Sequence, residues 1–252
     1  MNHHRRSRLA CLLFSLLLGA CAQIQPVAKL RAIQGQFDAA SRQDNLAAVG
    51  HGTPSGYASV ASQLSVDFIA TLPDARLKAN AWMMRAIAES RTARYNQALA
   101  SAQNGLQAGP APHMRDHILL TLVPALTIDT EAVAAWRATG KAFTLDQYKA
   151  HAETAYPTAF SHLRKAQALY GAETDDDTRH YVAFHQWRML LNWDAMINRM
   201  TEEESVRDDA ALRASASTCG PSLAKQARAA RESIPVSSTY RALADSLSVT
   251  SP

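Results

Sequence analysis

The sequence predicts an all-α protein, and three observations support this fold class. Of its 252 residues, 48 are alanine, the residue with the highest intrinsic helix propensity. Only 10 residues are glycine and 10 are proline, so long stretches carry no helix breaker. Apolar residues recur three and four positions apart, and no segment sustains the period-two alternation of a half-buried strand.

The amino-terminal segment predicts export from the cytoplasm. Three arginines within the first eight residues precede an apolar run over 9–18, which is too short to span a bilayer but matches the core of a signal peptide. The string Leu18-Gly19-Ala20-Cys21 follows directly. This segment resembles the lipobox of bacterial lipoproteins.

The resemblance implies cleavage before Cys21, a thioether-linked lipid on its sulfur and acylation of its new amino terminus. An aspartate after the lipidated cysteine typically retains a lipoprotein at the inner membrane, whereas Ala22 stands there in this chain. The resemblance therefore implies the periplasmic face of the outer membrane, with several acyl chains giving lasting anchorage. Residues 1–20 are expected to form the signal peptide, and 21–34 the lipidated cysteine and a tether.

The charge of the chain comes mainly from this leader. The full sequence has 26 basic and 22 acidic side chains and a pI of about 9.1. Three arginines and no acidic residue lie in residues 1–20, so the mature chain is close to neutral. We therefore expect no nucleic-acid partner. Beyond the leader and Cys21 the chain has Cys219 alone, which excludes an internal disulfide.

Capping and breaking residues divide the mature chain into predicted helices. Asp74 and Thr144 can cap helices, Pro157 can occupy a first turn, and three aspartates precede residue 178. Turns are expected at 51–56, 73, 109–110, 124, 140 and 219–221. The predicted helices cover 33–49, 57–72, 74–91, 95–107, 113–122, 130–138, 144–155, 157–171, 178–200 and 222–232.

The patterns also predict where these helices lie in the fold. Apolar residues surround most of the predicted helix over 178–200, so we expect it at the centre. Residues 35–200 are expected to form one helical domain. Because bulky apolar residues become rare after residue 200, residues 201–252 are expected to form peripheral charged helices and a mobile tail.

One predicted helix pair has a repeat-like order of large, small and helix-ending residues. The positions that carry this order are Trp82, Ala86, Tyr95, Ala98, Leu99, Ala102, Gly105 and Pro110. The order resembles a tetratricopeptide repeat, which implies two antiparallel helices that touch at the small residues. A weaker echo starts at Tyr156, at a distance that is no multiple of the family's 34 residues. We expect antiparallel helix pairs in a tetratricopeptide-like right-handed array or an irregular helical bundle.

The first functional hypothesis is a non-catalytic interaction scaffold. An array of helix pairs forms a concave surface that can hold a protein or an extended peptide. The side chains expected on that surface are Arg85, Glu89, Gln97 and Gln103. The partner would be a periplasmic or envelope protein, and the role that of an assembly factor in secretion, pilus or outer-membrane assembly.

Two alternatives remain open. The first is a small-ligand or toxin-binding (immunity-type) lipoprotein whose pocket contains Tyr181, Trp187 and Trp193, although aromatic residues at this spacing more often fill a core. The second is a metal-dependent envelope hydrolase. His113 and His117 lie one turn apart and are weak candidate metal ligands, but the sequence shows no third ligand. No catalytic residue, metal site or cofactor is predicted.

Overall fold

The computed structural model describes residues 24–44, 56–139, 146–147, 150–201 and 210–250. Within these ranges the backbone forms helices and turns and contains no strand, which confirms the all-α fold. A π-helical segment, Ala150–Ala155, leads directly into the seventh α-helix. The α-helices are α1 (24–44), α2 (Tyr57–Gln63), α3 (Val66–Ala70), α4 (Ala75–Arg91), α5 (Tyr95–Ala108), α6 (Met114–Thr139), α7 (Tyr156–Gln167), α8 (Asp176–Thr201), α9 (Ala210–Glu232) and α10 (Thr239–Thr250).

Helices α4 and α5 form a tightly packed antiparallel pair, joined by residues 92–94. Ala86 and Ala98 are fully buried. Gly105 lies where α4, α5 and α6 meet, because a Cβ atom there would stand 2.8 Å from Leu120 Cδ1 and 3.0 Å from Trp82 Cβ. The backbones thus approach too closely for a side chain at this position, in agreement with the small-residue contact predicted from the sequence.

The next three helices continue to alternate in direction. Arg115 near the start of α6 pairs with Asp177 near the start of α8, and Asp129 further along α6 pairs with Arg188 further along α8. Helices α6 and α8 therefore run parallel. Helix α7 is antiparallel to both, since contacts join the start of α7 to the end of α8 and its end to the first half of α8.

Proline 124 does not end a helix, and this prediction was wrong. Helix α6 runs unbroken from Met114 to Thr139 with Pro124 inside it. Leu122, Val123 and Ala125 are all buried, so apolar packing on both sides of the proline offsets the missing backbone hydrogen bond. By length and composition alone, Met114–Ala138 could cross a membrane (mean hydropathy 1.6), yet 61% of its most apolar stretch is buried inside the protein.

Buried residues of the carboxy-terminal helices belong to the hydrophobic core, although the sequence predicts this region to be peripheral. Helix α9 continues through 219–221, where a break was predicted. Leu223, Ala227 and Ile234 are buried in one cluster with residues of α8, and Ala244 of α10 is fully buried there too. The prediction of a charged periphery and mobile tail is therefore wrong for 223–247, because small alanines at helical spacing allow close packing without bulky residues.

Helix α1 replaces most of the predicted tether. The helix occupies 24–44, so residues 24–34 are helical. Leu30 and Ile33 are buried among residues of α2 and α4, which explains why this stretch is ordered as part of the domain. Cys21 and the rest of the lipobox lie outside the described residues, as do 45–49 of the predicted helix 33–49 and most of 144–149.

Candidate functional site

A cavity of about 960 Å³ lies between the amino-terminal and carboxy-terminal core clusters. Its size falls at the upper end of the roughly 300–1,000 Å³ typical of small-molecule sites. Helices α1, α2, α4, α6, α8 and α10 all contribute to its wall. The apolar part of this wall consists of Phe37, Met83, Met84, Ile87, Leu119, Phe184, Leu243 and Leu247.

The charged part of the wall is made of arginine and aspartate side chains. It contains five arginines, three aspartates and no lysine or glutamate. Burial raises the pKa of Asp116. The partners of two of these arginines, Asp177 for Arg115 and Asp129 for Arg188, lie outside the cavity wall and balance their charge. The charged residues are Arg42, Arg91, Arg115, Arg137, Arg188, Asp38, Asp44 and Asp116.

Three of these arginines are paired with a carboxylate on another helix, and one of them is Arg115 with Asp177. Arg91 Nη2 lies 3.1 Å from Asp44 Oδ2, which joins α4 to α1. Arg188 Nη2 lies 3.4 Å from Oδ2 of the buried Asp129, which also accepts hydrogen bonds from Asn192. A guanidinium has five N–H donors. The Nε atom of Arg188 is buried and has no partner among the described residues.

His185 lies in the cavity wall and is only 3% exposed. Its Nδ1 atom has no hydrogen-bond partner within the described part of the chain, and its ring lies 4.3 Å from that of Tyr181. Burial, together with the positive charges of Arg188 and Arg91, lowers the pKa of His185 well below its ordinary value of 6.5. The imidazole is therefore neutral at pH 7, with one donor and one acceptor nitrogen.

Three tyrosines complete the polar wall. The rings of Tyr181 and Tyr240 lie 5.5 Å apart, edge to face, and the Tyr57 hydroxyl donates to Ser41 Oγ at 3.3 Å. Burial raises the pKa of Tyr57 and of Tyr240 to about 12, and it also raises that of Tyr181. All three phenols are therefore neutral, and can donate a hydrogen bond, over the whole physiological pH range.

The structure separates the three aromatic residues predicted to form a pocket. Tyr181 lines the cavity. Trp187 is 3% exposed and belongs to the carboxy-terminal core cluster. Trp193 stacks on Tyr156 with ring centroids 5.0 Å apart. Neither tryptophan is among the residues that line this cavity, so the aromatic pattern is mainly a core pattern.

The structure also separates the four residues predicted to form a partner-binding surface. Glu89 is fully buried, so its placement on a surface was wrong. It accepts a hydrogen bond from Arg85 Nε at 2.8 Å and one from Ser101 Oγ at 2.6 Å. Arg85 and Glu89 therefore make contacts within the α4–α5 pair. Gln97 and Gln103 are exposed on α5.

The two histidines considered as metal ligands lie near the start of α6. His113 is exposed and His117 is half-buried. Across the ranges that the structure describes, no group of three or more His, Cys, Asp or Glu side chains has an arrangement that could hold a metal ion.

Comparison with protein-family models, with curated proteins and with solved structures finds no match for this chain.

Proposed function

We propose that this protein is a lipid-anchored ligand-binding protein of the bacterial cell envelope, whose central cavity holds a small molecule. The cavity is the observation that carries the proposal. Its wall combines apolar side chains with hydrogen-bond donors from six helices, as ligand sites do.

The envelope location is supported by the lipobox-like string that ends at Cys21. We propose that the lipid on Cys21 anchors the chain to the outer membrane, with the domain in the periplasm. Cys21→Ala is expected to leave the protein unprocessed or soluble, whereas Cys11→Ala, inside the leader, should be processed and anchored normally. Outer-membrane fractionation of the Cys21→Ala protein at the level of the unmutated protein would refute this anchor.

Ligand binding has more support than the scaffold role predicted first from the sequence. The burial of Glu89 and its contact with Arg85 remove half of the expected binding surface. Binding of an envelope protein on the exposed face of α5, around Gln97 and Gln103, stays a prediction.

Ligand binding can be tested with N-phenyl-1-naphthylamine, a neutral probe whose fluorescence rises in an apolar site. The full chain carrying Cys21→Ser allows purification without detergent and leaves every described residue unchanged. Ser41 lines the cavity, so Ser41→Phe should fill part of it and weaken saturable binding at least tenfold. The matched control is Ala100→Phe on the exposed face of α5, which should bind as the parent protein does.

Two outcomes would contradict the ligand-binding proposal. One is the absence of saturable probe binding to the parent protein. The other is equal affinity in the Ser41→Phe and Ala100→Phe variants, which would place the probe outside the cavity.

A further inference from the structure

We infer that the surface around the start of helix α1 contacts the phospholipid headgroups of the membrane that holds the lipid anchor. This inference rests on the proposed anchor at Cys21 and adds a second contact between the protein and the membrane. It is carried by the short chain between Cys21 and α1, by the packing that fixes α1 in the domain and by the exposed side chains of its first turns.

The chain between the anchor and the domain is very short. Helix α1 begins at Ile24, three residues after Cys21. Because an extended chain spans at most about 3.6 Å per residue, the Cα atoms of these two residues are separated by no more than about 11 Å. Acyl chains attached to Cys21 lie in the bilayer, so the start of α1 must lie beside the lipid headgroups.

Helix α1 is a fixed part of the domain and not a flexible tether. Leu30 and Ile33 are buried in the amino-terminal core cluster. The Lys29 ammonium lies 4.7 Å from the centroid of the Phe68 ring, which joins α1 to α3. The anchor therefore holds at the membrane the whole end of the domain that surrounds the start of α1.

This end of the domain also contains the start of α4. Asp44 at the end of α1 pairs with Arg91 at the end of α4. Residues 71–74 lead into α4 from α3, which lies against the first turns of α1. Helices α1 and α4 therefore run in the same direction, and both start at the end of the domain nearest Cys21.

The exposed side chains of α1 at this end suit a phospholipid surface. Ile24 is 62% exposed, and an apolar side chain can enter the boundary between headgroups and acyl chains. Lys29 and Arg31 are exposed and form no ion pair with another described residue. No acidic residue lies between Cys21 and Asp38. Each cation close to an anionic lipid surface strengthens binding about fivefold.

The start of α4 adds to this basic surface. It contains Arg76 and Lys78, whereas the nearby acidic residues are Asp67 of α3 and Asp74. Asp74 accepts a hydrogen bond from the backbone nitrogen of Arg76 at 2.6 Å, as the cap of α4. A basic surface also suits an acidic protein, but the anchor at Cys21 places this surface beside lipid phosphates and thereby favours the membrane.

The reactivity of Lys29 can report this contact without a label. The full lipidated chain is inserted into the outer leaflet of vesicles of phosphatidylethanolamine and phosphatidylglycerol, and its lysines are acetylated with a water-soluble reagent that does not cross the membrane. Mass spectrometry gives the rate at each lysine. Compared with the soluble Cys21→Ser chain, we expect Lys29 to react about threefold more slowly or less on vesicles, and the exposed Lys225 of α9 to react at an unchanged rate.

A linker separates attraction to the lipid surface from the restraint of the short chain. Ten glycine and serine residues inserted between Gln23 and Ile24 would allow the domain to leave the membrane while the anchor stays. We expect Lys29 to remain protected about twofold or more in this linker chain, because the side chains of α1 themselves bind the headgroups.

Paired substitutions in the linker chain test these side chains. Ile24→Gln/Arg31→Gln should return the acetylation rate of Lys29 to that of the soluble chain. Val236→Gln/Arg228→Gln is the matched control, since it also removes one exposed aliphatic side chain and one exposed arginine, both outside α1. This control should keep the protection of Lys29.

Two outcomes would overturn the inference and leave the anchor intact. One is equal acetylation of Lys29 in the vesicle-bound and soluble chains. The other is loss of the protection on linker insertion alone, which would show that α1 has no affinity for the lipid surface. A chain without lipid on Cys21 that does not bind vesicles would instead refute the proposed anchor together with this inference.

Discussion

Helix α4 has two neighbourhoods that are built in opposite ways. Towards α5 it presents small residues such as Ala86, and near Trp82 the helices approach so closely that Gly105 has no space for a side chain. Towards α1, α8 and α10 it presents Met83, Ile87 and Arg91, which line the cavity. The spacing between helices follows the side chains at their contact. The helices lie close together where the facing side chains are small. Where the facing side chains are long or charged, they line the cavity.

The largest expected effect concerns the ion pair between Arg85 and Glu89, where α4 packs against α5. The fully buried Glu89 carboxylate accepts hydrogen bonds from Arg85 and Ser101. Arg85→Met would remove the first of these two donors and the positive charge. Because a buried charge without its counter-ion is strongly unfavourable, we expect a loss of about 3 kcal/mol in the free energy of unfolding, measured by urea denaturation.

The double variant Arg85→Met/Glu89→Gln should lose less of this free energy than the single variant. A loss below 1 kcal/mol in the single variant would contradict the burial of this pair.

A smaller effect is expected from overfilling the contact between α4 and α5. Ala98 is fully buried, so Ala98→Leu should destabilise the protein by about 1–3 kcal/mol. Ala100→Leu, on the exposed side of the same helix, should change stability by no more than about 0.5 kcal/mol. Equal stability of the two variants in thermal and urea unfolding would show that the helices are not in close contact at Ala98.

The smallest expected effect is the pH dependence of stability that comes from His185 in the cavity wall. The pKa of His185 is far below 6.5 in the folded protein, so below pH 6.5 the unfolded chain binds a proton that the folded chain does not. Stability from this residue is therefore complete above pH 6.5 and declines as pH falls towards the folded pKa. We expect His185 to contribute a loss of about 1 kcal/mol between pH 7.5 and 5.5, so the decline in His185→Phe should be smaller by that amount.

The exposed His113 provides the control for this pH dependence. His113→Gln should retain the full decline in stability between pH 7.5 and 5.5. If His185→Phe retains the same decline, His185 is not a buried neutral histidine, and the polar wall of the cavity is described incorrectly.

The close contact between α4 and α5 was predictable from the sequence, and the cavity on the other side of α4 was not. The contact at Ala98 and Gly105 involves residues close together in the chain, so a local pattern of small residues predicts it. The cavity combines residues from Gln34 to Leu247, and no local pattern brings them together. One available signal was Arg188, the single arginine, lysine, aspartate or glutamate in the largely apolar stretch over 181–193.

The errors in helix boundaries have a common physical cause. Pro124 and Pro221 were read as breaks, yet each lies inside a continuous helix. The rule that proline ends helices describes a local cost of about 3 kcal/mol. Burial of several apolar residues on both sides of Pro124 exceeds that cost, and such burial depends on partner helices that the local sequence does not specify.

The central claim is that the cavity between the two core clusters holds a small-molecule ligand. The most direct test is mass spectrometry of the molecules that co-purify with the full-length lipidated protein from outer membranes. The unmutated protein and Ala100→Phe should carry the same small molecule, and Ser41→Phe, which fills part of the cavity, should carry at least tenfold less of it. Equal amounts in all three proteins, or none in the unmutated protein, would contradict the claim.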